Sequence, residues 1–247
     1  MTASDHDTAR TLATSAGELL LQVRARDSAD ATARKTAGDA ESHRFLMDAL
    51  AAVRPDDAVL SEEGADDPAR LGAERVWIVD PLDGTREFSE LERADWAVHV
   101  ALWERGELVA GAVALPAEGI TLSTAEPREV PARSDGPLRL AVSRSRPPAL
   151  VAVLSEQLGA ELVPMGSAGV KAMAVVRGRA DAYVHGGGQY EWDSAAPVAV
   201  ARAAGLHTSR LDGSPLRYNQ ANPWLPDLLV CRPMFADQLL GALADTA

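Results

Sequence analysis

Two aspartates three residues apart, Asp80 and Asp83, follow directly on the apolar run VWIV. A carboxylate at a strand end is costly unless a cation holds it there. Two further acids, Glu62 and Glu63, stand upstream in SEEG, and Asp193 lies near the start of EWDSAAPVAVARAAG. Hard divalent cations such as Mg²⁺ take several oxygen ligands, carboxylates among them. Two such ions about 3.5–4 Å apart can clamp the attacking and leaving oxygens of a phosphoryl transfer. Metal-assisted phosphoryl transfer is thus the chemistry these residue types suit. Gly84 and Thr85 open a segment whose backbone N–H groups can point at a phosphate. The Thr85 hydroxyl is placed to hold a nucleophilic water. Taken singly, each acid has a plainer use. Asp193 would be a helix N-cap, Glu62 and Glu63 a solvated loop, and Asp80-Pro-Leu-Asp83-Gly84 a turn punctuated by Pro and Gly.

The elements that must position these residues follow from periodicity. Leu12, Ala16, Leu19, Leu20 and Val23 predict an amphipathic helix over 8–26, and Phe45, Leu46, Ala49, Leu50 and Val53 a second over about 43–53, ended by Pro55. Strands are expected at 58–60 and 76–80, as a pair around a turn at 105–107, and at GITLSTA. Residues 125–137 read as a connection. Strands at LRLAVS, ELVPM, ADAYVH and DLLVC then alternate with helices over 149–159, 167–177, 193–204 and 234–245. This predicts an α/β fold, with an α+β first half (1–135) carrying the metal-binding loops. An α/β second half (136–247) carries Asp193 and substrate-binding segments, and the two pack as one unit around a cleft. The glycine run 186–188 reads as a flexible loop. Trp77, Trp96 and Trp192 read as core, and His99 and His185 as structural.

Composition bounds the function. The chain has 247 residues, 47% hydrophobic, enough for one large domain or two packed halves. Its 36 acidic against 24 basic residues give a net charge of −12, which argues against a nucleic-acid partner. A small phosphorylated substrate remains compatible if divalent cations offset the local charge. The lone Cys231 allows no internal disulfide and suits a reducing compartment. The first thirty residues lack a basic stretch followed by an apolar run, and no segment of about 18 apolar residues exists. A cytoplasmic enzyme without a signal peptide or membrane span is the expectation.

WIVDPLDGTREF closely resembles the D-P-[IL]-D-G-T segment of the inositol monophosphatase family, which comprises Mg²⁺-dependent, lithium-sensitive phosphatases. SEEG is similar to that family's metal loop, and WDSAAPVAVARAAG to its second signature. The three occur in the family's order. The resemblance implies a layered α-β-α-β-α sandwich of the inositol monophosphatase/fructose-1,6-bisphosphatase type, binding roughly two or three Mg²⁺ ions per site. It implies Glu62, Asp80, Asp83, Asp193 and the carbonyl of Leu82 as metal ligands, with Glu62 bridging. Thr85, with Glu62 and Asp83, carries the catalysis, and the reaction is in-line attack of a metal-activated water on a phosphate monoester. Family members are often dimers, and a homodimer stays open here.

Finer features resemble one branch, the CysQ-type 3′(2′),5′-bisphosphate nucleotidases. DGTREF is similar to their D-G-T-[KR]-E-F, AVSRSRP to V-S-R-S-H, GSAGVKAM to S-S-L-K-F, and GSPLRYNQ to P-L-x-Y-N. These imply substrate contacts from Gly84, Thr85, Arg144, Ser167, Lys171, Arg217 and Tyr218. Arg144, Lys171 and Arg217 are cationic donors to the uncleaved phosphate, and Tyr218 or Tyr190 a stacking surface for adenine. The implied substrate is adenosine 3′,5′-bisphosphate, or its sulfated precursor, in sulfate assimilation. Inositol 1-phosphate, a broader range including fructose 1,6-bisphosphate, and a silent metabolite-binding protein are the alternatives. One departure stands out. Family members carry K-x-D-x-x-x-T-x-x-D before the second helix, with an acid that orients the catalytic threonine. In ARKTAGDAESHRFL, Lys35 matches, but His43 falls nearest the final aspartate, with Asp39 and Glu41 close by.

Overall fold

The computed structural model describes residues 3–26 and 30–245. Two five-stranded sheets are separated and flanked by helices. The first contains β1 (Ala58–Ser61), β2 (Arg75–Asp83), β3 (Ala97–Glu104), β4 (Glu107–Leu115) and β5 (Ile120–Ser123), in that order. β1 and β2 are parallel and the remaining pairs antiparallel. The second is ordered β7 (Glu161–Met165), β6 (Arg139–Ser143), β8 (Ala182–Tyr190), β10 (Trp224–Cys231) and β9 (His207–Ser209).

Three apolar interfaces stack these layers. Helices α1 (Asp5–Ala25) and α2 (Ala31–Val53) cover one face of the first sheet, where Leu12, Leu20 and Leu46 meet Trp77, Val98 and Ala112. Helices α5 (Ala168–Val176) and α6 (Glu191–Ala203) lie between the sheets, burying Met173 and Val198 against Ile78, Val113 and Tyr183. Helices α4 (Ala149–Leu158) and α7 (Ala236–Ala244) close the far face through Leu154 and Leu239. The result is the expected α-β-α-β-α order. Trp77 and Trp96 are fully buried. Among the described residues no helix is long and apolar enough to cross a membrane.

Three elements depart from the sequence reading. Helix α2 starts at Ala31, behind an Asp30 cap, twelve residues before the apolar periodicity begins. Its buried stripe is Arg34, Gly38, Ser42, Leu46 and Leu50, so the first half has no apolar signature. That half instead grips the segment that carries Asp80 and Asp83: Arg34 Nη1 donates to Ser89 O (2.7 Å) and Ser42 Oγ to Pro81 O (2.7 Å). Gly38 permits the close approach, since a Cβ there would lie 2.7 Å from the Phe88 ring. The run Gly186–Gly188 is not a free loop. It continues β8 to Tyr190, with a register shift opposite Leu225 and Asp227. Strand β9 carries no signal in the sequence, because its three residues are too few for an alternation.

Candidate active site

The strand end of β2 carries the acids as expected. Asp80 is 1% exposed and Asp83 7%. Gly84, at φ +86°, turns the chain into a short helix, α3 (Thr85–Ser89). Asp80 Oδ1 accepts from Leu82 N at 3.0 Å, which folds the loop back so that Asp80 and Asp83 share one end of the sheet. Glu62 follows β1, β2's parallel neighbour, and Asp193 enters from α6 of the middle layer. Asp193 also has a local role at the helix start, where its Oδ2 accepts from Tyr190 N at 2.6 Å.

Electrostatics ties the acids together. Burial, then the Glu62, Asp83 and Asp193 carboxylates, raises Asp80 well above the ordinary carboxylate range. Glu62 is exposed as a residue, but its carboxyl group lies near that of Asp80. Burial of that group and the charges of Asp193, Asp83 and Glu63 push it up to about 7. Burial and Asp83 push Asp193 up to about 6. Asp83 moves the other way. Burial opposes its ionisation, but His99, Lys171 and Ser167 outweigh it and hold the carboxyl low. Asp83 Oδ2 accepts from Gly169 N (2.7 Å) and from Ser167 Oγ, and Oδ1 from Ala168 N (3.1 Å). His99, fully buried, lies between Trp192 O (3.0 Å from Nδ1) and Asp83 Oδ2 (3.1 Å from Nε2), the latter an ion-pair contact without good hydrogen-bond alignment. Acids that raise one another's pKa in this way form a site short of positive charge. This oxygen-rich donor set fits a hard divalent cation.

Thr85 has the acidic partner that the sequence leaves unassigned. Its Oγ1 donates to Leu82 O at 3.2 Å, with the Asp39 carboxyl group close by. Burial and the Glu63 charge raise Asp39 to about 6. His43 instead contacts Ser61 Oγ at 3.0 Å. Asp39 lies on a helix whose early part lacks an apolar signal, and the available clue is its place three residues after Thr36, the T-x-x-D spacing that ends the family pattern.

A cleft of ≈ 910 Å³ opens beside the acids, lined by Asp83, Gly84, Thr85, Ser167, Lys171 and Asp193 among others. This is at the large end of small-molecule sites, about 300–1,000 Å³. Lys171 is buried, its Nζ donating to Gly166 O (3.3 Å) and Ser167 O and lying 5.3 Å from the centre of the Tyr183 ring. Burial lowers its pKa.

Three expected substrate contacts lie elsewhere. Arg144 is held by Glu87 (2.8 Å) and Glu90 (3.3 Å), and it is Arg146, two residues on, that lines the cleft. Arg217 is exposed and away from the lining. Tyr218 is 3% exposed within the core, its hydroxyl 3.1 Å from Ser194 Oγ. The segment around it is a brace. Asn219 N and Gln220 N donate to Glu191 (2.6 and 2.8 Å), and Arg70 Nη1 to Asn219 Oδ1 (2.7 Å), fixing the start of α6 two residues before Asp193. Tyr190 is exposed and stacks on Trp192, 4.7 Å between ring centres.

The sequence profile of the inositol monophosphatase family matches residues 3–240. The chain belongs to this family. It is a phosphatase of a metal-dependent class, with an acidic cluster able to take the metal. A Mycobacterium tuberculosis protein named 3′-phosphoadenosine 5′-phosphate phosphatase is 56% identical over 239 residues, 93% of this chain and 90% of that one. The 3′(2′),5′-bisphosphate nucleotidase CysQ of Escherichia coli K12 is 34% identical, covering 77% and 81%. Among solved structures, CysQ from Bacteroides thetaiotaomicron has a TM-score of 0.76 at 28% identity, covering 92% of this chain and 97% of that one. Inositol monophosphatase II from Staphylococcus aureus has a TM-score of 0.80 at 21% identity, covering 95% and 93%, and speaks to the fold alone.

Proposed function

We propose that the protein is a Mg²⁺-dependent phosphatase that removes the 3′-phosphate of adenosine 3′,5′-bisphosphate. The observation that carries this reading is a cleft with a cluster of metal-suited acids and a second, buried cation, Lys171, in its wall. One phosphate would lie against the acids and the other near Lys171. The names of relatives at 56% and 34% identity support the nucleotide.

Glu62, Asp80, Asp83, Asp193 and the carbonyl of Leu82 would hold the ions. Bound Mg²⁺ would offset the charge of these acids and of the scissile phosphate, and would acidify a water. Thr85 then positions that water. The one proton of the Thr85 hydroxyl points to Leu82 O at 3.2 Å; turned instead to the nearby Asp39 carboxylate, it would leave the Oγ1 lone pairs free to accept from the nucleophile. Ser167 and the amides of Ala168 and Gly169 keep Asp83 ionised and oriented. Lys171 supplies a point charge to the uncleaved phosphate. In this reading the enzyme is cytoplasmic, clears a by-product of sulfate activation, is inhibited by lithium, and works as one unit of two halves (1–135 and 136–247).

The test is a phosphate-release assay with Mg²⁺ on adenosine 3′,5′-bisphosphate, inositol 1-phosphate and fructose 1,6-bisphosphate in parallel. The expected result is a kcat/KM preference for the nucleotide of about a hundredfold or more, ~2.7 kcal/mol at the transition state. Comparable rates on all three would make the protein a broad phosphatase and overturn the nucleotide assignment.

A further inference from the structure

The wall of the cleft contains a side chain with a buried polar atom that neither the fold nor the proposed chemistry uses. Gln189, on β8, is 6% exposed and lines the cleft. Its Nε2 donates to Tyr183 Oη at 2.7 Å, while its Oε1 is buried without a hydrogen-bond partner among the described residues. A buried amide oxygen left unsatisfied costs ~1–3 kcal/mol. A cleft residue of this kind is satisfied when a ligand supplies the missing donor.

The surroundings say which part of a ligand that is. The Tyr183 ring lies beneath the Lys171 ammonium, 5.3 Å from ring centre to Nζ, so Gln189 is one aromatic ring away from this cation. Four residues on, the same chain reaches Asp193 of the acid cluster. Gln189 therefore neighbours both groups proposed to handle phosphates, yet its free oxygen cannot bind one. An ionised phosphate offers no proton and would repel an amide oxygen. The flanking wall is the backbone of Gly186–Gly188, where a Cβ on Gly188 would collide with the Trp224 ring at 1.8 Å, so no side chain at these positions competes for the ligand.

We propose that Gln189 is a specificity-determining residue that accepts a hydrogen bond from a neutral donor on the substrate, a sugar hydroxyl or the exocyclic amine of the base. This rests on the nucleotide reading above. A site whose buried acceptor is left unpaired rejects the analogue that lacks the donor.

The experiment compares wild type and Gln189→Met on adenosine 3′,5′-bisphosphate, its 2′-deoxy analogue and the analogue lacking the 6-amino group. Wild type should lose on the order of tenfold to a hundredfold in kcat/KM on one analogue. Gln189→Met should be slowed on the parent substrate and no longer discriminate against that analogue. The analogue that suffers identifies the hydroxyl or the amine. A variant slowed equally on all three, or on none, overturns the assignment, because a merely structural role does not depend on the substrate's donor. Should the variant fail to fold, wild type decides: equal thermal shifts with adenosine 5′-monophosphate and both corresponding analogues would also overturn it. Wild type that hydrolyses all three alike refutes Gln189 alone, whereas wild type inert on the parent nucleotide refutes the substrate reading.

Discussion

Replacing Asp39 by asparagine should make the enzyme slower and the fold more stable. The carboxyl is raised from its ordinary 3.8 to about 6, first by burial and then by the Glu63 charge. A carboxylate raised in the folded state costs stability above its unfolded pKa, and that cost is complete above about pH 6. The rise corresponds to at most ~3 kcal/mol at ~1.36 kcal/mol per pH unit, and about half that after solvent screening of a partly buried group. The Asp39→Asn variant would be free of this cost. Its side-chain amide would still accept from Thr85, but through a neutral oxygen, forfeiting ~1–1.5 kcal/mol of charge-assisted bonding and slowing kcat roughly five- to fifteenfold. Protonation of Asp39 should likewise depress wild-type kcat below about pH 6, and the variant should lack that acid limb. Thermal unfolding and a pH–kcat profile at saturating Mg²⁺ measure both effects. A variant with unchanged kcat and an intact acid limb would refute the Asp39–Thr85 linkage.

Chelator-treated protein should lose stability as pH rises from about 5 to about 7.5, because raised Glu62, Asp80 and Asp193 bind more protons folded than unfolded. Mg²⁺ should raise Tm increasingly over that window, and a flat Tm profile in both states would contradict the coupling of these acids. Asp83→Asn should nearly abolish turnover while leaving the fold intact, since an amide oxygen in the place of Oδ2 can still accept from Ser167 Oγ and Gly169 N, and only Ala168 N loses its acceptor. Near-wild-type phosphate release at saturating Mg²⁺ would remove Asp83 from the ligand set. Gly188→Ala should destabilise by ~2 kcal/mol or more in chemical denaturation, since φ is +89° and the new Cβ would meet the Trp224 ring at 1.8 Å. An unchanged denaturation midpoint would mean that β8 is not held as described.

By itself the sequence determined the succession of helices and strands and the placing of Asp80 and Asp83 at a strand end. Both depend on local pattern: alternation and helical spacing mark the elements, and Asp80, Asp83 and Gly84 lie in a single turn, while the layered order came from the family resemblance. The tertiary structure decided what depends on distant partners. Asp39 comes close to Thr85 because Gly38 and Ser42 let α2 lie against the Asp80–Asp83 loop, a stripe without apolar signal. Arg144 is taken up by Glu87 and Glu90 while Arg146 reaches the cleft, a choice fixed by acids more than fifty residues away in sequence. Tyr218 points into the core because Glu191 collects the amides that follow it, so a segment that reads as a substrate contact braces Asp193 instead. Residue types announce which chemistry a chain can do. Which member of each type performs it is settled by long-range packing and by the pairing of buried polar groups.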